Sequence, residues 1–230
     1  MTNFIAVPMG QLFKWLIDFL GSYGYAIIAF TLITKLLLLP INIKQTQSTK
    51  RMNDIQPKMK ALQEKYKNDK EKLNEKLMEL YKEEKYNPAS GCLPALIQMP
   101  IVIALFNVLR YPLKFVFEND TAYNAVSRSF LWMTDLGLTE TKATLLAIGA
   151  FGIPLLAIIS GVTTYFQMKM VSPSTKDATQ NSMTMMMPVM FAFITYTVPA
   201  GLAIYWIVGN IFTIIQQYIM LRKKPAQKEA

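Results

Sequence analysis

A single lysine lies inside a long apolar segment of this chain. Lys35 belongs to the run TLITKLLLLPIN, and four leucines separate it from Pro40. A cation near the middle of a membrane helix costs roughly 2.5 to 3.5 kcal/mol on insertion scales, and such side chains usually face a protein interior or a wet cavity. The helix rises about 10 Å from Lys35 to Asn42, more than a lysine stem covers comfortably. Snorkelling to the membrane surface remains the alternative to a binding role.

Polar residues on three apolar segments follow helical spacing and predict one wet face on each helix. The stripe on the last segment continues through Thr213 and Gln217. No Asp or Glu occurs in any predicted span, so Lys35 needs water, backbone carbonyls or an acidic ligand as its partner. We therefore predict a hydrated binding groove formed by the first, third and fifth spans, with candidate residues Thr31, Thr34, Lys35, Gln98, Ser160, Thr163, Thr164, Gln167, Trp206 and Asn210.

The ordinary alternative is that these residues join membrane helices through hydrogen bonds. Gln98 is the least certain of the set, because Gln98 and Asn107 fall on nearly opposite faces of their helix. Sequence alone does not assign that helix to the groove.

Composition points away from enzyme chemistry. The 230 residues include no histidine and one cysteine, Cys92, so metal sites, histidine-dependent triads and disulfides are excluded or nearly so. No glycine-rich phosphate loop is present. We predict no enzymatic activity and no cofactor. A hydrophobic content of 52% with a net charge of +9 instead fits a polytopic membrane protein with basic loops.

The hydrophobic pattern predicts an all-α integral membrane protein with five transmembrane helices. An interfacial amphipathic helix, from about Met9 to Leu20, is predicted within residues 1–24, with a spanning segment as the alternative. A charged helical hairpin is predicted at 43–87, with a turn at Asn68-Asp69, although one bent helix would give the same pattern. The spans are predicted at 25–42, 88–109, 143–168, 183–198 and 199–221, the connector at 110–142, a loop at 169–182 and a tail at 222–230.

Charge predicts the orientation of these elements. Residues 43–87 carry twelve Lys or Arg and eight Asp or Glu, and the 169–182 loop and the tail are also net positive. Residues 1–24 and 110–142 are each neutral overall. By the positive-inside rule the basic segments lie in the cytoplasm, which predicts a multi-pass protein of the cell membrane with its N-terminus outside and its C-terminus inside.

Four segments in a fixed order carry a family resemblance: TLITKLLLLPINIKQTQS, NPASGCLPALIQMPI, SFLWMTDLG and MMPVMFAFITYTVPAGLAIYWIVGNIFTIIQQY. Together they resemble the YidC/Oxa/Alb membrane protein insertases, in the short Gram-positive, clostridial form. The likeness covers nearly the whole chain. It implies a five-span core around a hydrophilic groove that opens to the cytoplasm and the lipid. The large extracytoplasmic domain and the lipid-anchoring cysteine of some relatives are not expected here.

The resemblance also implies roles for individual residues. Lys35 stands where the family has a groove arginine, so the charge is kept but the planar guanidinium fork is lost. Thr31 and Trp206 match positions that contact the entering client, and Gln167 matches a polar groove position. The implied partners are nascent membrane proteins and lipid, with the Sec translocon, the ribosome and a targeting receptor meeting the basic cytoplasmic segments.

The expected function is therefore membrane protein insertion, with the groove moving transmembrane segments and short polar tails into the bilayer. A transporter of small solutes or ions that uses Lys35 as its binding charge is the runner-up, although the chain shows no internal repeat. A purely structural scaffold is the third possibility.

Overall fold

The computed structural model describes residues 2–87, 93–144, 147–148, 151–171 and 178–222. Cys92, the centre of the predicted 169–182 loop and nearly all of the predicted tail lie outside these residues. The described chain is helical apart from one short antiparallel strand pair. The elements are α1 (Thr2–Leu20), α2 (Tyr23–Leu37), α3 (Leu39–Lys65), α4 (Lys70–Glu83), α5 (Leu93–Arg110), α6 (Pro112–Phe115), α7 (Asp120–Ala125), α8 (Glu140–Ala143), β1 (Ala147–Ile148), β2 (Phe151–Gly152), α9 (Leu155–Val171), α10 (Ala178–Thr197) and α11 (Ala200–Arg222).

The first helix packs onto the core rather than standing apart from it. α1 contacts α2 and α5, and the rings of Tyr23 and Phe30 meet Phe13 edge-on. It ends as predicted at Leu20, and the next residue, Gly21, has a φ of 65°, a left-handed conformation that favours glycine. It begins at Thr2, earlier than the predicted Met9, because Ala6 also lies in the core.

A close backbone contact fixes the position of α1. A Cβ atom at Gly10 would clash with the Phe115 carbonyl oxygen in α6. We expect Gly10→Ala to force the two backbones apart and to cost about 1 to 3 kcal/mol, the usual range for overpacking. Thermal unfolding in detergent would measure this loss. Gly21→Ala is the comparison variant. Its new Cβ would have nothing within 4 Å, so any loss of stability there comes from backbone strain and not from a steric clash.

The helix of the predicted first span, 25–42, is interrupted before the predicted end of the span. Helix α2 stops at Leu37, and the chain bends by 64° before α3. Pro40 explains the bend, because its ring lacks an N–H group and clashes with the carbonyl four residues earlier. Proline is tolerated in the first turn of a new helix, where it lies here. Residues 39–42 therefore belong to the helix of the charged segment.

The predicted helical hairpin is present as α3 and α4, which pack together. The turn at 66–69 includes the predicted Asn68-Asp69 pair, and the Asp69 carboxylate caps α4 by accepting a 3.0 Å hydrogen bond from the Lys72 N–H. Lys58 of α3 pairs with Glu84 just after α4, and this hydrogen bond raises the pKa of Lys58. Two separate helices, rather than one bent helix, form this segment.

The helix of the predicted third span, 143–168, begins later than the predicted span. Helix α9 starts at Leu155, not near Ala143, and α8 and the β1–β2 pair precede it. Pro154 explains the late start because a helix cannot easily continue back through a proline. Glu140 then caps α9: its carboxylate accepts hydrogen bonds from the Leu156 N–H at 2.7 Å and the Ala157 N–H at 3.2 Å.

The connector between α5 and α9 is bound by its backbone to the turn between α10 and α11. The Ala200 N–H donates to the Leu138 carbonyl at 2.8 Å, and the Gly201 N–H donates to the Leu136 carbonyl at 2.9 Å. Gly201 is also packed closely, since a Cβ there would lie 2.8 Å from Ile27 Cδ1. Leu136 is fully buried. These contacts close one end of the helical core.

Among the described helices, Ala200–Met220 alone is long and apolar enough by itself to cross a membrane, and the bent pair α2 and α3 also passes when taken together. The segments Ile97–Arg110 and Met185–Thr197 are shorter apolar helices. The predicted number of five spans thus remains a prediction.

Candidate functional site

A cavity of about 330 Å³ lies among α2, α3, α5, α9, α10 and α11. Both polar and apolar side chains line it, as a hydrated groove beside lipid requires. It brings together six of the ten residues predicted from sequence: Lys35, Gln98, Thr164, Gln167, Trp206 and Asn210.

The charge in this cavity is Lys35. Its ammonium nitrogen lies 3.4 Å from the Thr213 hydroxyl, and no carboxylate pairs with it among the residues that the structure describes. Gly209 leaves room for the side chain, because a Cβ there would lie 3.0 Å from Lys35 Cε. The half-buried ammonium is thus held by one long, neutral contact, so it can still bind an anion.

Asn210 joins α11 to α9 at the wall of the cavity. Its side-chain amide donates to the Thr164 hydroxyl at 2.9 Å and to the Thr163 hydroxyl at 3.2 Å. Because Asn210 and Thr164 are both buried, these bonds satisfy polar groups that would otherwise be costly inside the protein. The wet stripes of α9 and α11 therefore face each other.

Two further contacts place α5 and α10 at the same cavity. The Gln98 side-chain amide donates to the Tyr205 hydroxyl at 2.7 Å, which assigns Gln98 to the surface that sequence left undecided. The ring of Trp206 packs on Phe191 of α10, with centroids 4.3 Å apart. Trp206 therefore lies between the polar lining and the apolar face of α10.

Four predicted residues, Thr31, Thr34, Ser160 and Thr163, do not line the cavity. The hydroxyls of Thr31, Thr34 and Thr163 donate to carbonyls of their own helices. Ser160 hydrogen-bonds Thr195 of α10 at 2.9 Å. Ser160 and Thr163, which also accepts from Asn210, therefore join helices as the alternative expects, whereas Thr31 and Thr34 donate within α2.

Sequence reasoning missed several lining residues. Thr213 and Gln217 lie on the polar stripe that sequence identified on the last segment, although they were not among the ten candidate residues. Tyr205 was hidden within an apolar run, and no pattern pointed to it. The polar residues Asn42, Gln45 and Thr46 line the cavity because α3 begins immediately after the bend, inside what sequence assigned to the first span and the hairpin.

Within the residues that the structure describes, the geometry defines a class of helical protein with a polar cavity and one cation, Lys35, without a carboxylate partner at its wall. A family model described as "60Kd inner membrane protein" matches residues 15–228, and the chain belongs to this family. The resemblance predicted from sequence is confirmed.

Named relatives agree with this assignment. The chain is 41% identical over 225 residues to "Membrane protein insertase YidC" of Caldanaerobacter subterraneus subsp. tengcongensis, covering 97% of each protein. It is 39% identical over 221 residues to the protein of the same name from Syntrophobacter fumaroxidans, covering 94% of this chain and 37% of the relative. The chain thus matches the whole of one relative and just over a third of another.

A solved structure shows the same fold. The crystal structure titled "Active YidC insertase crystal structure with the first transmembrane domain resolved" aligns with a TM-score of 0.70 and 32% identity, over 96% of this chain and 47% of that one. These names favour the insertase expectation over the transporter alternative.

Proposed function

We propose that this chain inserts client membrane proteins into the bilayer, moving transmembrane segments and short polar tails from the cytoplasm, alone or with the Sec translocon. The observation that carries the proposal is the polar cavity around the unpaired Lys35, in a chain whose relatives are named membrane protein insertases. The process involves binding and release without a covalent step, so we assign no enzymatic activity.

The physical problem is the polar part of the client. A tail would otherwise cross about 30 Å of hydrocarbon, at a cost of several kcal/mol for each charged group. A hydrated cavity that reaches partway shortens the dry path and lowers this barrier. Lys35 attracts acidic side chains of the client, and Gln167 exchanges hydrogen bonds with the client.

The apolar part of the client needs a different surface. Next to the cavity, the ring of Phe191 packs against the ring of Trp206. Val189 and Phe193 of the same helix, α10, are exposed. A client helix moves along this apolar face while its polar tail occupies the cavity. Burial of the client helix in lipid supplies the driving force, because the end state is the more stable one.

The same proposal gives the protein an orientation in the bacterial cell membrane. We assign the spans to α2, α5, α9, α10 and α11, with α1 at the outer interface and α3–α4 in the cytoplasm. The exposed face of α1, with Phe4 and a stacked Trp15–Phe19 pair, suits the lipid interface. The basic hairpin, loop and tail would meet the ribosome, a targeting receptor or the Sec translocon through salt-sensitive contacts.

Site-specific photocrosslinking tests the proposal. A photoreactive residue at Trp206 should capture a stalled client segment in proteoliposomes. The same probe at Leu113, which is exposed on the connector, should not. Capture at neither position, with no insertion of the client above the level of empty liposomes, would disprove the function.

A further inference from the structure

Five primary amides surround one end of the cavity. They come from three helices, and none belongs to the residues that hold Lys35 in place. We call this set the amide collar: Asn42 and Gln45 of α3, Gln167 of α9, and Gln216 and Gln217 of α11.

The collar lies about one helical turn beyond the charge. Gln216 and Gln217 follow Thr213, which contacts Lys35, by three and four residues on α11, a rise of about 5 to 6 Å. Gln167 follows Thr163 and Thr164, which contact Asn210, by the same interval on α9. Asn42 and Gln45 lie beyond the bend at Leu38. The cavity therefore has a cationic part and a neutral, amide-rich part.

Two collar side chains have an unused acceptor. The side-chain oxygens of Gln216 and Gln217 are buried and have no hydrogen-bond partner within the described chain. Both residues are more than nine-tenths buried, at 9% and 7% exposure. The Gln216 amide nitrogen has only a weak contact, 3.8 Å to the sulfur of Met220. A buried acceptor without a donor is expensive, so a ligand that brings a donor is favoured here.

The chemistry of the collar fits a peptide backbone. A primary amide offers two donors and one acceptor and carries no charge, so it complements a peptide group better than it complements an ion. Among the described residues that line the cavity, Lys35 alone is charged. A polypeptide brings one backbone N–H at almost every residue, whatever its sequence.

We propose that the amide collar binds the main chain of the client, with Gln216 and Gln217 accepting backbone N–H groups, while Lys35 selects acidic side chains. This inference rests on the proposed insertase function and names what that site recognises. The collar would give every client the same contact, and the lysine would give only some clients an additional one.

Backbone esters provide the test. A client tail is made by cell-free translation with two adjacent residues replaced by α-hydroxy acids, which removes two N–H groups and keeps the side chains. Insertion into liposomes that contain the full chain is compared with that of the all-amide client. Because each lost hydrogen bond is worth a factor of about 2 to 12 and two N–H groups are removed, we expect insertion by the unaltered protein to be at least about fourfold slower.

The variants Gln216→Met and Gln217→Met remove an amide with little change of shape. Each should insert the all-amide client more slowly and should lose most of the sensitivity to the ester. Gln11→Met, the same change at an exposed position of α1, should retain the full sensitivity. An ester effect of equal size in all four proteins, or no ester effect in the unaltered protein, would overturn the collar proposal.

A second measurement needs no variant. When the ester pair is moved along the client tail, insertion should be slowest where the tail crosslinks to a probe at Met168, another lining residue next to Gln167. An effect independent of position would contradict the proposal. If the unaltered protein does not insert even the all-amide client, the insertase function itself fails, so the two failures are distinguishable.

Discussion

Lys35→Ala is expected to slow the insertion of clients with acidic translocated tails about tenfold and that of neutral-tailed clients less than twofold. The ammonium has no carboxylate partner in the described chain and only a 3.4 Å contact to Thr213. Its charge is therefore available to the client, and its removal leaves no buried carboxylate unpaired. The rate of insertion into proteoliposomes, for one client with acidic or amidated tail residues, measures the difference.

Lys35→Arg is the matched control. It keeps the charge and should retain most of the insertion activity, although a guanidinium needs more room beside Gly209. The amidated tail removes the client's charge instead of the protein's, so it should make the Ala and Arg variants behave alike. Equal slowing of acidic and neutral clients by Lys35→Ala would argue against an electrostatic role.

Glu140→Ala is expected to lower the stability of the fold by about 3 to 5 kcal/mol. Glu140 is 1% exposed, and its carboxylate accepts bonds from the Leu156 and Ala157 N–H groups and from the Trp132 indole at 3.3 Å. Removing the carboxylate leaves three donors without this acceptor at the start of α9. Unfolding monitored by tryptophan fluorescence in detergent would record the change, with Trp132 as a local reporter.

Two variants give this prediction its controls. Glu140→Gln keeps one oxygen acceptor but loses the charge that favours a helix N-terminus, so a smaller loss of about 1 to 2 kcal/mol is expected. Glu118→Ala removes an exposed carboxylate from the same connector and should change stability by less than about 0.5 kcal/mol. Similar losses for Glu140→Ala and Glu118→Ala would show that the cap contributes little.

Patterns within a single helix were predictable from sequence. The helical spacing of apolar residues predicted the α3–α4 hairpin. The spacing of polar residues on α11 predicted that Trp206 and Asn210 line the cavity. The isolated position of Lys35 in an apolar run predicted that it supplies the charge of the cavity. In each case the signal was local, because the period of the helix decides which side chains share a face.

Features that depend on two helices were not predictable in this way. The direction of Gln98 is set by Tyr205, more than a hundred residues later, and that of Ser160 by Thr195. The stripe on α9 therefore divides between contacts to α10 and contacts to α11. Because of the bend at Leu38, Asn42 lies at the cavity wall. The only signal of this bend in the sequence is Pro40, which disrupts a helix.

One end of the helical core is held together by main-chain hydrogen bonds. Where residues 136–138 meet residues 199–201, both hydrogen bonds join a carbonyl to a backbone N–H, so neither depends on the identity of a side chain. Gly201 is restricted there by its closeness to Ile27, and Leu136 and Ala200 are restricted by their full burial. A substitution at the exposed Leu138 would leave both bonds in place, because they use main-chain atoms, whereas the lining of the cavity depends on particular amide side chains and one ammonium.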